Sequence, residues 1–140
     1  MEHKGPKVGV DILVIRNDQI LLGLLSKKWL VNGVQAYGVP GRDIRFGEKI
    51  GDTVKRDIQE DIGCKVISHR IFSVNASHTS DNHYINIAVA VEIDGEPKNL
   101  VPMDWERWDW FDLSKIPTNL FPSAKNAINS YLQKSVCVAE

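Results

Sequence analysis

The order of elements along this 140-residue chain predicts an α/β fold: strands, a helix, more strands and a second helix, giving a mixed sheet between helices. Two patterns carry that reading. Residues 8–15, Val-Gly-Val-Asp-Ile-Leu-Val-Ile, form an apolar, β-branched run of the kind that builds a buried strand. Farther on, Ile50, Val54, Ile58 and Ile62 recur every fourth residue, the stripe of a helix lying on a sheet. The length suits one domain spanning residues 1–140, with no repeat, low-complexity tract or linker.

Taken in order, Arg16-Asn17-Asp18-Gln19 reads as a turn after the first strand, and residues 20–25 return as its hairpin partner. Residues 26–36 lack a clear period and read as a loop. The helix starts near Lys49 without a Ser, Thr, Asp or Asn to cap it and stops at Gly63, a residue suited to a left-handed end. Residues 64–74 are expected as a strand, 75–82 as a polar loop and 83–93 as another strand, with Asp94-Gly95 turning the chain. Residues 107–111 form a short strand whose Trp108 and Trp110 read as packing. A second helix runs over residues 121–133 from near Pro122, with Ala124, Ala127, Ile128, Tyr131 and Leu132 on its inner side.

Composition narrows the function. A formal net charge of -1 gives no general attraction to nucleic-acid polymers or anionic membranes. No apolar run approaches the roughly 20 residues of a membrane span, and the first residues are polar, without the apolar centre of a signal peptide. Cys64 and Cys137 are the only cysteines, as lone thiols in a reducing compartment would be. The cytoplasm is the expected location.

The chemistry concentrates in residues 42–64. Asp57, Glu60 and Asp61 stand at i, i+3 and i+4, so a helix gathers them on one face. Crowded like charges repel unless a cation sits among them, and magnesium takes oxygen ligands from a few carboxylates together with substrate phosphates. Such acids are also common on solvated helix faces. The upstream Val39-Pro40-Gly41 and Phe46-Gly47-Glu48 favour the metal reading, because a strand and a glycine loop before an acidic helix can cradle a phosphate.

These residues resemble the signature of the Nudix hydrolases: Gly, five residues, Glu, seven residues, then Arg-Glu-apolar-x-Glu-Glu-x-Gly-apolar. Glu48, Arg56, Ile58, Glu60 and Gly63 fall on its positions without insertion or deletion, and Cys64 loosely fills the last one. Arg42 replaces the opening Gly, while Asp57 and Asp61 replace two Glu residues. Tyr37-Gly38-Val39-Pro40-Gly41 resembles the family's lead-in. Glu96-Pro97-Lys98-Asn99, Glu106 to Phe111, Leu113 and Ile116-Pro117 look like the C-terminal half of its MutT-like nucleotide diphosphatases.

The resemblance implies an α/β/α sandwich that hydrolyses a nucleoside diphosphate linked to a group X. The first expectation is a nucleoside triphosphate cut to monophosphate and pyrophosphate. A nucleotide sugar or ADP-ribose is the alternative, and a binding module without turnover the third reading. It further implies magnesium, or manganese in its place, held by Asp57, Glu60 and Asp61. Glu48 would assist at the metal or orient the water, and Arg56 would hold a carboxylate in place. A small-molecule nucleotide is the expected partner, and a homodimer is expected from the family alone.

The substitutions raise their own expectations. Each Asp is one methylene short, so it could meet magnesium through a water. Arg42 stands where Gly often adopts backbone angles closed to other residues, which predicts a differently shaped loop. Arg42, with Arg45, could grip a substrate phosphate as a planar fork or lie exposed without a ligand. Lys27 and Lys28 are the first cations after Gly23, and Trp29, Tyr37 and Phe46 could stack on a base or simply pack.

Overall fold

A computed structural model describes residues 5–78, 80–133 and, for the backbone alone, 137–139. The first strand, β1 (Lys7–Arg16), turns through Asn17 and Asp18, both at positive φ (49° and 62°), into β2 (Gln19–Leu25). Two such residues make the mirror-image turn whose twist matches a tight hairpin. Yet β1 and β2 pair only at Ile15–Ile20 and Arg16–Gln19. Beyond that tip they part. β1 pairs in parallel with β6 (His83–Asp94) and antiparallel with the short β4 (Gly41–Asp43), whereas β2 pairs with β3 (Tyr37–Gly38) and β7 (Trp105–Asp112). β5 (Lys65–His78) runs antiparallel to β6, and β8 (Cys137–Ala139) lies parallel to β5. The mixed sheet expected from the sequence is present, split along the widening gap between β1 and β2.

Helices cover both faces. α1 (Ile50–Ile62) buries Val54, Ile58 and Ile62 against Val10, Ile12, Val14, Val89 and Val91. α2 (Pro122–Leu132) buries Ala124, Ala127 and Ile128 against Leu13, Ile20, Leu22, Phe72 and Ala88. The pleat of β1 explains the division: even positions face α1 and odd ones face α2. Asp11 is therefore a carboxylic acid on the α2 face of the core.

α1 has the boundaries its periodicity predicts. Lys49 caps it without a side-chain hydrogen bond, and Gly63 ends it at φ 69° with its N–H donating to Gln59. The Lys98 and Leu100 amides donate to the Ile62 and Asp61 carbonyls, so the Glu96-Pro97-Lys98-Asn99 segment closes the end of the helix. Those bonds satisfy carbonyls that a helix end leaves without partners.

Three expectations change. The polar stretch 75–82 is not a loop throughout: β5 continues to His78, pairing Asn75 with Asn86 and His78 with His83, with residue 79 outside the described part. Cross-strand pairing with a complete partner strand outweighs polar composition there. Within 26–36, Lys27–Trp29 forms a 3₁₀ turn. Arg42 lies in β4 and is not among the positive-φ residues, so losing the Gly leaves no backbone strain at that position. Cys64 is a buried free thiol, while the side chain of Cys137 and residues 1–4 lie outside the described residues. Among the described residues, no helix is long and apolar enough to cross a membrane.

Candidate active site

Two short segments meet above α1. Gly41 lets β4 approach β1 so closely that a Cβ there would run into the Val10 carbonyl. This approach carries Arg42 over the acidic turn of the helix. Its guanidinium then contacts all three acids: Nε meets Asp57 Oδ1 at 2.8 Å, Nη1 meets Glu60 Oε2 at 2.8 Å and Nη2 meets Asp61 Oδ1 at 2.7 Å. The sequence correctly gathers the acids on one face. What joins them is Arg42, whose guanidinium is engaged with the acids and is not a loose surface side chain.

The acids differ in burial. Asp57 is fully covered and Asp61 nearly so, whereas the Glu60 side chain is 43% exposed. Burial raises the pKa of Asp57, the neighbouring Asp61 raises it further, and Arg42 opposes both. Asp57 Oδ2 has no hydrogen-bond donor among the described residues. For Arg42, partial burial works against the charge, but the hydrogen bonds to Asp61 and Asp57 prevail and hold it cationic.

A second ion pair braces the loop. Arg56 donates to both oxygens of Glu48, at 2.9 and 3.0 Å, and to the Asp43 carbonyl at 3.3 Å. Glu48 also accepts from Thr53 Oγ1 at 2.6 Å and from the Arg45 amide at 3.1 Å. Arg56 above all, then Thr53 and Arg45, lower the Glu48 pKa to about 2. Glu48 thus stays ionised and fixes Arg56 and the 45–49 loop.

A divalent ion can be tested against these residues. The donor set has the right chemistry, and the orphaned Asp57 Oδ2 shows that one guanidinium does not satisfy three carboxylates. The geometry does not fit: Arg42 holds an oxygen of every acid, and among the described residues no three His, Cys, Asp or Glu side chains are placed to share a metal. Arg42 occupies the cation's place.

A cleft of about 500 Å³ opens beside this cluster, lined among others by Arg42, Arg45, Arg56 and Asp61. Trp29, half exposed, forms part of its wall. The other stacking candidates are elsewhere. Tyr37 alternates with Gly38 in β3, so its ring turns away to pack edge-on against Phe111, and its hydroxyl accepts from Arg107. Phe46 is fully exposed on the loop and lines no part of the cleft. Lys28 pairs with Asp104 on the rim at 2.8 Å, while Lys27 is exposed in the 3₁₀ turn.

Three solved structures share this arrangement of chain. A MutT Nudix hydrolase from Burkholderia pseudomallei matches with a TM-score of 0.81 at 23% identity, over 91% of this chain and 98% of its own. The MutT protein from Methanosarcina mazei Go1 matches at 0.77 and 16%, over 96% and 98%. The fold is that of the Nudix hydrolases. A UDP-X diphosphatase has the same Nudix fold, with a TM-score of 0.72 and 14% identity over 100% of this chain and 70% of its own. No family model matches the sequence. In Nudix-fold terms, Arg42 and α1 form the segment whose spacing the sequence revealed.

Sequence reasoning passed over Asp11. A charged residue inside an apolar β-branched run was the available signal. Asp11 is 9% exposed, and its one hydrogen-bond partner among the described residues is Ser123 Oγ, at a long 3.4 Å. Burial raises its pKa from 3.8 to about 6, with Ser123 pulling slightly the other way. A raised carboxyl stabilises the fold while protonated and loses that contribution as pH climbs from 4 through 6. Urea unfolding at pH 4 and pH 7 should therefore show wild type losing on the order of 3 kcal/mol relative to Asp11→Asn. Parallel pH profiles for the two proteins would contradict this.

Proposed function

We propose that the chain, as one Nudix unit, hydrolyses a phosphoric anhydride in a small nucleoside diphosphate derivative. The observation that carries this reading is the convergence of Arg42, Arg45 and Arg56 with Asp61 of α1 on one cleft. Guanidinium groups match phosphate oxygens with planar pairs of donors. A diphosphate held by them would lie against the carboxylates that remain available for proton transfer. Arg56 is pre-set by Glu48, so its orientation costs little at binding. Glu60, the most exposed acid of the three and joined to the cleft through its ion pair with Arg42, is the one we assign to accept a proton from water.

The Nudix fold supports the hydrolytic reading, and we take nucleoside triphosphates and nucleotide sugars as the first substrates to try. A second reading has its own support: with Arg42 clamped onto all three acids, the site could bind a nucleotide without turning it over. One assay separates them. Nucleoside triphosphates, nucleotide sugars and ADP-ribose are incubated with the protein, with and without magnesium or manganese, and products are resolved by anion exchange. Pyrophosphate supports a triphosphate substrate, and a sugar or ribose phosphate supports the alternative. Saturable binding without products supports the binding module. Neither binding nor products across the panel would overturn both readings.

A further inference from the structure

The gap between β1 and β2 contains a second cavity, of about 380 Å³, that adjoins the arginine cleft through Gly41, Arg42 and Asp43. Its floor is polar in a particular way. Asp11 of β1 and Asn86 of β6 both lie on the α2 face, where Gly9 of β1 is the direct partner of Asn86. Asp11 has only its long contact with Ser123, and Asn86 has no side-chain hydrogen bond among those described. Trp29 and Phe121, 48% and 37% exposed, stand on the walls.

A nearly buried carboxyl with one weak partner is costly to maintain in a core. Its neighbours do not relieve that cost, so a ligand donor is the natural complement. Aromatic walls above a polar floor suit a flat ring held by stacking and read along one edge. The cavity's junction with Arg42 would place that ring on the same molecule as the phosphates in the adjoining cleft.

We propose that this cavity binds a planar nitrogen heterocycle bearing an exocyclic amine, and that Asp11 selects it by accepting the amine N–H. The inference deepens the nucleotide reading above by naming what the non-phosphate part must carry. A site built around a buried acceptor discriminates strongly against an analogue lacking the donor, because the acceptor is then left bare.

The test is binding by calorimetry, with no turnover required. Two pairs of ligands each differ by one amine: adenosine and purine-riboside monophosphates, and guanosine and inosine monophosphates. Wild type should bind the amine-bearing member of at least one pair tenfold or more tightly, and Asp11→Ala, which removes the acceptor, should bring that ratio close to one. Asn86→Ala guards against a folding artefact in the first variant: it should weaken binding of the preferred ligand while leaving Asp11 and its amine preference in place. No preference in wild type, or a preference that survives Asp11→Ala, would overturn the assignment and leave Asp11 a buried structural acid. Failure of the hydrolytic reading looks different: the amine preference would be measured, yet no nucleotide would be cleaved.

Discussion

Arg42→Ala should destabilise the metal-free protein and make it responsive to divalent ions. Wild type holds a fully buried Asp57 against a guanidinium that also meets Glu60 and Asp61. Removing one partner of a buried ion pair costs about 3–5 kcal/mol. Asp57 can take up a proton and Arg42 is about a third exposed, so the lower end applies. A loss of roughly 3 kcal/mol corresponds to a fall in Tm of about 10 °C for a chain of this size. The variant also frees three carboxylates for another cation. If manganese or magnesium then binds with a Kd a hundredfold below its concentration, it restores about 2.7 kcal/mol. Thermal unfolding with and without 10 mM of either ion checks both halves. Wild type should barely respond, and the variant should recover much of its deficit. An equal rise in both proteins would show that Arg42 does not exclude the metal.

Glu60→Gln should remove hydrolysis while leaving the fold intact. Glu60 is partly exposed and makes one ion pair, which is worth at most about 1 kcal/mol at such a site. Tm should therefore stay within a few degrees of wild type. Gln keeps the size and loses the charge, so it neither accepts a proton nor attracts a cation. A general base contributes roughly 10²–10⁴-fold, so kcat/KM should fall at least a hundredfold on any substrate that wild type turns over. Retention of most of the activity would take Glu60 out of the machinery and the proton-transfer role with it.

What could be read from the sequence was local. The stripe Ile50, Val54, Ile58, Ile62 fixed both the helix and the shared face of its acids, because a helix converts spacing into direction without outside help. Gly63 marked its end for the same reason. A carboxylate held by Arg56 was expected from the resemblance, and the structure makes Glu48 that carboxylate. Arg42 was harder. Its partners depend on β4 lying antiparallel to β1, a long-range pairing permitted by the close approach at Gly41, and nothing near Arg42 encodes that. Tyr37 packs instead of facing the cavity through parity: in a two-residue strand, the neighbour of a cavity-lining glycine points the other way. The length of β5 was likewise set by its partner, not by its own polar residues.

The parting of β1 from β2 has a mechanical meaning. Past the hairpin tip β1 and β2 no longer pair, and the two halves of the sheet stay joined through residues 37–43, where β3 pairs with β2, β4 pairs with β1 and the Ile12 amide donates to the Pro40 carbonyl. Any molecule lodged in that opening presses on both halves together, like a keystone between two arms of an arch. Its affinity and the stiffness of the surrounding scaffold are then one quantity: tighter seating means a more rigid frame, and a looser frame means weaker hold.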